Sequence, residues 1–152
     1  MKVLRLDEQL EEARVLESGI APPVSVWLHG DFNPNNIMYK AEDNSIRFID
    51  IHRSRFGDYL QDVTVFLVGM QRDPSLSPSI RRQLRVIEAM FLQFASEFAN
   101  EFEDVHWQQR MLLGLSRSYI TSSRIILQPA HAEWLFREGR ITLQRFINNA
   151  AR

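Results

Sequence analysis

The chain has 152 residues, 45% of them hydrophobic and 24% charged, with a net charge of −1. That length can bury one core, and the charge balance gives no pull toward DNA, RNA or an anionic membrane. With no cysteine there is no disulfide, zinc–thiolate site or thiol nucleophile, which accords with a reducing, cytoplasmic setting. The acidic N-terminal stretch has no apolar signal-peptide core. No run approaches the ~20 apolar residues of a membrane span.

Leu4, Leu6, Leu10, Ala13, Val15 and Leu16 are loosely spaced for one helical face, predicting a helix over 7–18 with Gly19 as its stop. The prolines of "APPVS" force an extended break, and "VSVWL" reads as a short strand leading into "HGDFNPNN". "NIMYK" and "IRFIDI" flank the turn-forming "AEDNS" and predict a hairpin. After Gly57 and Asp58 the apolar period lengthens, predicting a helix over 59–71, followed by a loop, "RDPSLSPS".

From Ile80 to Phe102 the apolar residues recur every three or four positions, which is the strongest helical signal in the chain. The Phe-rich face from Phe91 to Phe102 is expected to be core. A body that carries a second lobe would leave part of such a face open for association. Two further helices are predicted, over 107–127 and 130–151, with Pro129 between them and Gly139 a candidate break. The organisation is α+β and mainly helical, one small hairpin on a helical body, read as a single domain over 1–152.

The polar loop concentrates the chemistry. A hairpin centred on Asp43 would pair 40 with 46, 38 with 48 and Asn36 with Asp50. Opposed side chains share a face with Cβ atoms ~5 Å apart, so Asn36 and Asp50 would offer oxygens to one cation. A one-residue slip would separate them. One carboxylate and one amide oxygen, completed by water and phosphate, suffice for magnesium. Asp31, earlier in the loop, is placed to orient or deprotonate a hydroxyl. Metal plus orienting carboxylate is what phosphoryl transfer requires.

"HGDFNPNN" resembles the HGDxxxxN catalytic loop of aminoglycoside phosphotransferases and the choline-kinase-like small-molecule kinases. "FIDIHRSRFGDYLQDVTVFL" is similar to the segment that follows it in that family, and the two blocks span Trp27 to about Met70. The resemblance implies the C-terminal lobe of a protein-kinase-like fold, with the hairpin carrying the catalytic loop. It gives Asp31 the base position, and Asn36 and Asp50 the magnesium positions. Asp62 becomes a structural brace reaching the loop from the following helix, and His29 a packing and hydrogen-bonding member of the loop. Asp58 caps that helix. Asn33 is a turn residue within reach of substrate.

The implied cofactors are Mg2+ and ATP or another nucleoside triphosphate; the implied partner is a small-molecule hydroxyl acceptor, with no nucleic acid and no membrane. Tyr59 stands where the family has Pro, and Asn35 where it has Gly; Asn tolerates left-handed backbone angles. Such kinases also have an N-terminal lobe that supplies a strand lysine for the nucleotide. The residues before Trp27 hold one lysine, Lys2, and no strand-rich lobe. The expectation is a catalytic half that needs a separate N-lobe or a self-associating partner, and that turns over little alone. The alternative is a catalytically inactive binding or interaction module that keeps the loop for its fold. The remaining histidines, His52, His106 and His131, have no metal-ligand spacing, and Arg53 to Arg55 read as a solvated loop, with a phosphate-facing role as the alternative.

Overall fold

A computed structural model describes residues 5–150; Lys2 and Leu4, considered above, lie outside the described residues. The elements in chain order are α1 (Leu6–Glu17), β1 (Val26–Leu28), β2 (Ile37–Lys40), β3 (Ser45–Phe48), β4 (Arg55–Gly57), α2 (Leu60–Gly69), α3 (Pro78–Glu101), α4 (Trp107–Ser123) and α5 (Pro129–Ala150). Single 3-10 turns occupy Pro34–Asn36 and Ile51–Arg53. The fold is mainly helical with two small two-stranded sheets. Among the described residues no helix is long and apolar enough to cross a membrane.

The chain forms two compact units, one of Val24–Phe102 and one of the described parts of Met1–Pro23 and Glu103–Arg152. In the second, α4 and α5 pack along each other, and Ala13, Ile20, Leu113, Leu143, Phe146 and Ile147 form the core. The predicted break at Gly139 is absent, because α5 runs through it unbroken. A Cβ there would lie 2.6 Å from Ile120 Cγ1, so the glycine serves helix–helix approach. Ser116 donates to the Gly139 carbonyl at 2.9 Å across the same contact. The α4 helix also stops short of the predicted Leu127, its end tightened by bonds from Arg124 N–H to the Thr121 carbonyl and from Ile125 N–H to the Ser122 carbonyl.

The unit of Val24–Phe102 carries the polar loop. Here β1 pairs with β4, aligning Trp27 with Phe56 and Leu28 with Arg55. The stretch read as a solvated loop therefore runs into a strand. Strands β2 and β3 form the predicted hairpin, but the register is corrected by one residue: Lys40 pairs with Ser45 and Met38 with Arg47. The cause lies in the turn. Asn44 adopts a left-handed φ of 54° and Ser45 N–H donates to Asp43 Oδ1 at 3.2 Å, which closes the turn one residue early.

Helix α2 buries Leu60, Val63, Thr64, Leu67 and Val68, and Tyr59, just before it, packs its ring 4.7 Å from Phe98 on α3. The sequence predicts loop up to Ser79, past the start of α3. Ser77 instead caps it by accepting from Ile80 N–H, with Pro78 in the first turn. The expected Phe core is only partly present. Phe32 from the polar loop stacks 5.5 Å from Phe66, which lies 4.5 Å from Phe91. Phe94 is exposed, and the residues of α3 that are fully buried are Ala95 and Ala99.

Candidate active site

The loop between β1 and β2 is held from beneath by the first turn of α2. Asp62 accepts the N–H of His29 at 2.7 Å with one carboxylate oxygen and that of Gly30 at 3.0 Å with the other. Asp58 accepts from Leu60 N–H at 3.0 Å and so orders the start of the helix that presents Asp62. At the far end of α2, a Cβ on Gly69 would come within 2.6 Å of Pro34, so the helix seats the loop at both its ends. Gly30 has φ of 84°, and a Cβ there would meet the Arg53 carbonyl at 2.2 Å. Both the backbone angle and the space require glycine.

His29 ties the loop to the second hairpin strand. Its Nε2 donates to the Ile49 carbonyl at 2.9 Å, and its Nδ1 accepts from Asp31 N–H at 3.3 Å. These two partners fix the tautomer, with the proton on Nε2 and the lone pair on Nδ1. The ring also lies against Phe32 and Phe48. On the other side of Ile49, its N–H donates to the Asn36 carbonyl at 3.0 Å. One peptide segment, immediately before Asp50, is thus bonded to both His29 and Asn36.

Asp31, Asn33 and Asn36 form a closed set. Asn36 Nδ2 donates to the Asp31 carbonyl at 2.8 Å. That bond orients the amide and leaves Oδ1 without a protein partner among the described residues, open as a ligand. Asn33 spends its amide inside the loop, donating to Asp31 Oδ1 at 3.1 Å and accepting from Asn35 N–H at 3.1 Å. It behaves as the turn residue the sequence favours. Asn35 keeps a negative φ within the 3-10 turn, so the left-handed tolerance expected of it is not used.

The corrected register changes the position expected for Asp50. It does not pair with Asn36 across the ladder. Asp50 instead has φ of 60° and ψ of 44°, which ends the strand alternation and starts the 3-10 turn Ile51–Arg53. Its carboxylate makes no capping bond and lies 2.6 Å from His52 Nδ1. Among the described residues no three His, Asp, Glu or Cys side chains gather around a metal position. Asn36 Oδ1 and the exposed Asp50 carboxylate are each an oxygen donor of the kind magnesium takes alongside water and phosphate.

The sequence reads Arg53 as solvated or facing phosphate, whereas the structure turns it to Asp31. Its Nη1 donates to Asp31 Oδ2 at 3.2 Å, so both carboxylate oxygens of Asp31 are engaged. The side chain of Arg53 is 60% exposed and that of Asp31 25%. An ion pair so open to solvent is worth at most ~1 kcal/mol. Arg53→Ala is accordingly expected to lower stability by less than ~1 kcal/mol, measured as the urea midpoint. A larger loss would mean that the pair is structural. Pairing with Arg53 was not readable from "RSR", since the signal appears only once β4 is seen to fold that segment back on β1.

The family model for the phosphotransferase enzyme family, APH, matches residues 2–92, a span that includes the polar loop, the hairpin and α2. The match defines the class as a kinase-like phosphotransferase, as the resemblance to aminoglycoside phosphotransferases and choline-kinase-like enzymes implied. With more than half of its length covered, the chain belongs to the phosphotransferase enzyme family. No curated protein and no solved structure matches it.

Proposed function

We propose that this chain carries the catalytic-loop and magnesium-binding half of an ATP-dependent phosphotransferase that acts on a hydroxyl group of a small molecule, within a protein-kinase-like C-terminal lobe. The observation that carries this reading is the double tie of Ile49 to His29 and Asn36, which brings Asp50 to the edge of the loop that holds Asp31. In this reading Asp31 orients the acceptor hydroxyl and takes its proton once Arg53 yields. Asn36 Oδ1 and Asp50 would hold Mg2+, which would neutralise charge on the transferring phosphate. His29 and Asp62 position the loop and touch no substrate.

The same reading expects low turnover from these 152 residues alone. The one lysine in the described residues, Lys40, pairs with Asp43 at the hairpin tip, and a nucleotide would meet a single wall. Phosphoryl transfer depends on positioning, and loss of one wall removes most of it. ATP consumption is measured against a panel of aminoglycosides, choline and amino alcohols, with and without an N-lobe supplied as a separate chain. The expected result is activity only with the N-lobe, lowered about 1,000-fold by Asp31→Asn, in the range of a lost general base. Equal activity in Asp31→Asn would remove the assigned base, and robust turnover by the chain alone would remove the need for a second wall.

A further inference from the structure

We infer that α3 is the interface of a symmetric, antiparallel dimer of this chain. Val86, Met90 and Phe94 follow at four-residue intervals along one side of the helix and are 59%, 66% and 59% exposed, with Ile87 exposed beside them. Ala95 and Ala99, fully buried, mark the opposite side, which faces the rest of the unit. A stripe of large apolar side chains this open is an association surface in a water-facing protein.

Charge chooses the occupant. Arg82 continues the stripe toward the N-terminus of α3, four residues before Val86, and Glu97 and Glu101 continue it toward the C-terminus. The helix has Arg81, Arg82 and Arg85 in its first third, and its last third has Glu97 and Glu101 with no Lys or Arg. Arg81 is occupied by carbonyl groups of the preceding loop, whereas Arg82 and Glu101 have no partner among the described residues.

A parallel pairing would set like charges together. An antiparallel one with its twofold axis at Met90 sets them in opposition: Arg82 lies eight residues before Met90, and Glu97 and Glu101 lie seven and eleven after it. Arg82 of each copy then falls between Glu97 and Glu101 of the other, twice by symmetry, and the Met90 side chains meet on the axis. A surface that complements itself only when reversed is the signature of a twofold contact. The inference is independent of the phosphotransfer reading, because it uses none of the loop residues.

Sedimentation velocity on the 152-residue chain tests it. The wild type is expected at dimer mass, weakening as salt rises. Met90→Glu, on an exposed position that the fold does not need, is expected at monomer mass. Glu97→Arg/Glu101→Arg and Arg82→Glu are each expected to be monomeric alone and to recover dimer mass when mixed, since only the mixed pair restores opposite charges at both ends. A monomeric wild type, with the face left to another segment or protein, overturns the inference. So does a Met90→Glu variant that stays dimeric, and a mixture that stays monomeric overturns the antiparallel pairing.

Discussion

Asp50→Ala is expected to weaken magnesium-dependent nucleotide binding sharply while leaving the fold intact. Asp50 is exposed, makes no capping bond and touches His52 alone in the described contacts, so its removal disturbs no packing. In the proposed site its carboxylate would nevertheless be the one full negative charge offered to the ion, beside the neutral amide oxygen of Asn36. Loss of that charge is expected to weaken nucleotide binding in magnesium by about 100-fold, ~2.7 kcal/mol. Calorimetric titration of ATP with and without Mg2+ measures it, with the circular dichroism of the variant as the folding control. Binding that is the same in parent and variant, or indifferent to magnesium in the parent, would leave Asp50 without a metal role and favour the inactive binding module.

What was legible in the sequence was the part set by local chemistry. The turn formers of "HGDFNPNN" make a polar loop, closed at Pro34–Asn36, and Asp58 orders the start of the helix that presents Asp62. Those demands act over a few residues, so spacing alone carries them. The hairpin register depended on one φ value at Asn44, which composition does not reveal, and the pairing inferred for Asn36 and Asp50 slipped with it. Strand β4 has three residues, too few to show alternation, and its partner β1 lies far back in the chain. Arg53 became visible as a site residue only through that fold-back. On α3, periodicity identified the apolar residues but could not say what covers them; the face from Val86 to Phe94 is open, while two alanines take the buried side.

Asp62→Ala is expected to cost the most stability of any single change near the site. The aspartate accepts two backbone N–H groups, from His29 and Gly30, at 2.7 and 3.0 Å, both in a part-buried setting. Bonds to a charged acceptor exceed neutral ones, and each buried donor left without a partner costs ~1–3 kcal/mol. Two such donors together give a loss of about 3 kcal/mol, a large fraction of the ~5–15 kcal/mol that holds a domain. Asp62→Asn keeps one acceptor oxygen and turns the other end into a donor, so it is expected to fall between parent and alanine. Urea denaturation gives the stability order. Amide exchange at His29 and Gly30 should quicken in both variants ahead of the buried α2 residues Leu67 and Val68, since the bonds lost belong to the loop. An unchanged midpoint in Asp62→Ala, with exchange at the two amides unmoved, would mean that the loop is held by His29, Pro34 and Phe32 without its helix-borne brace.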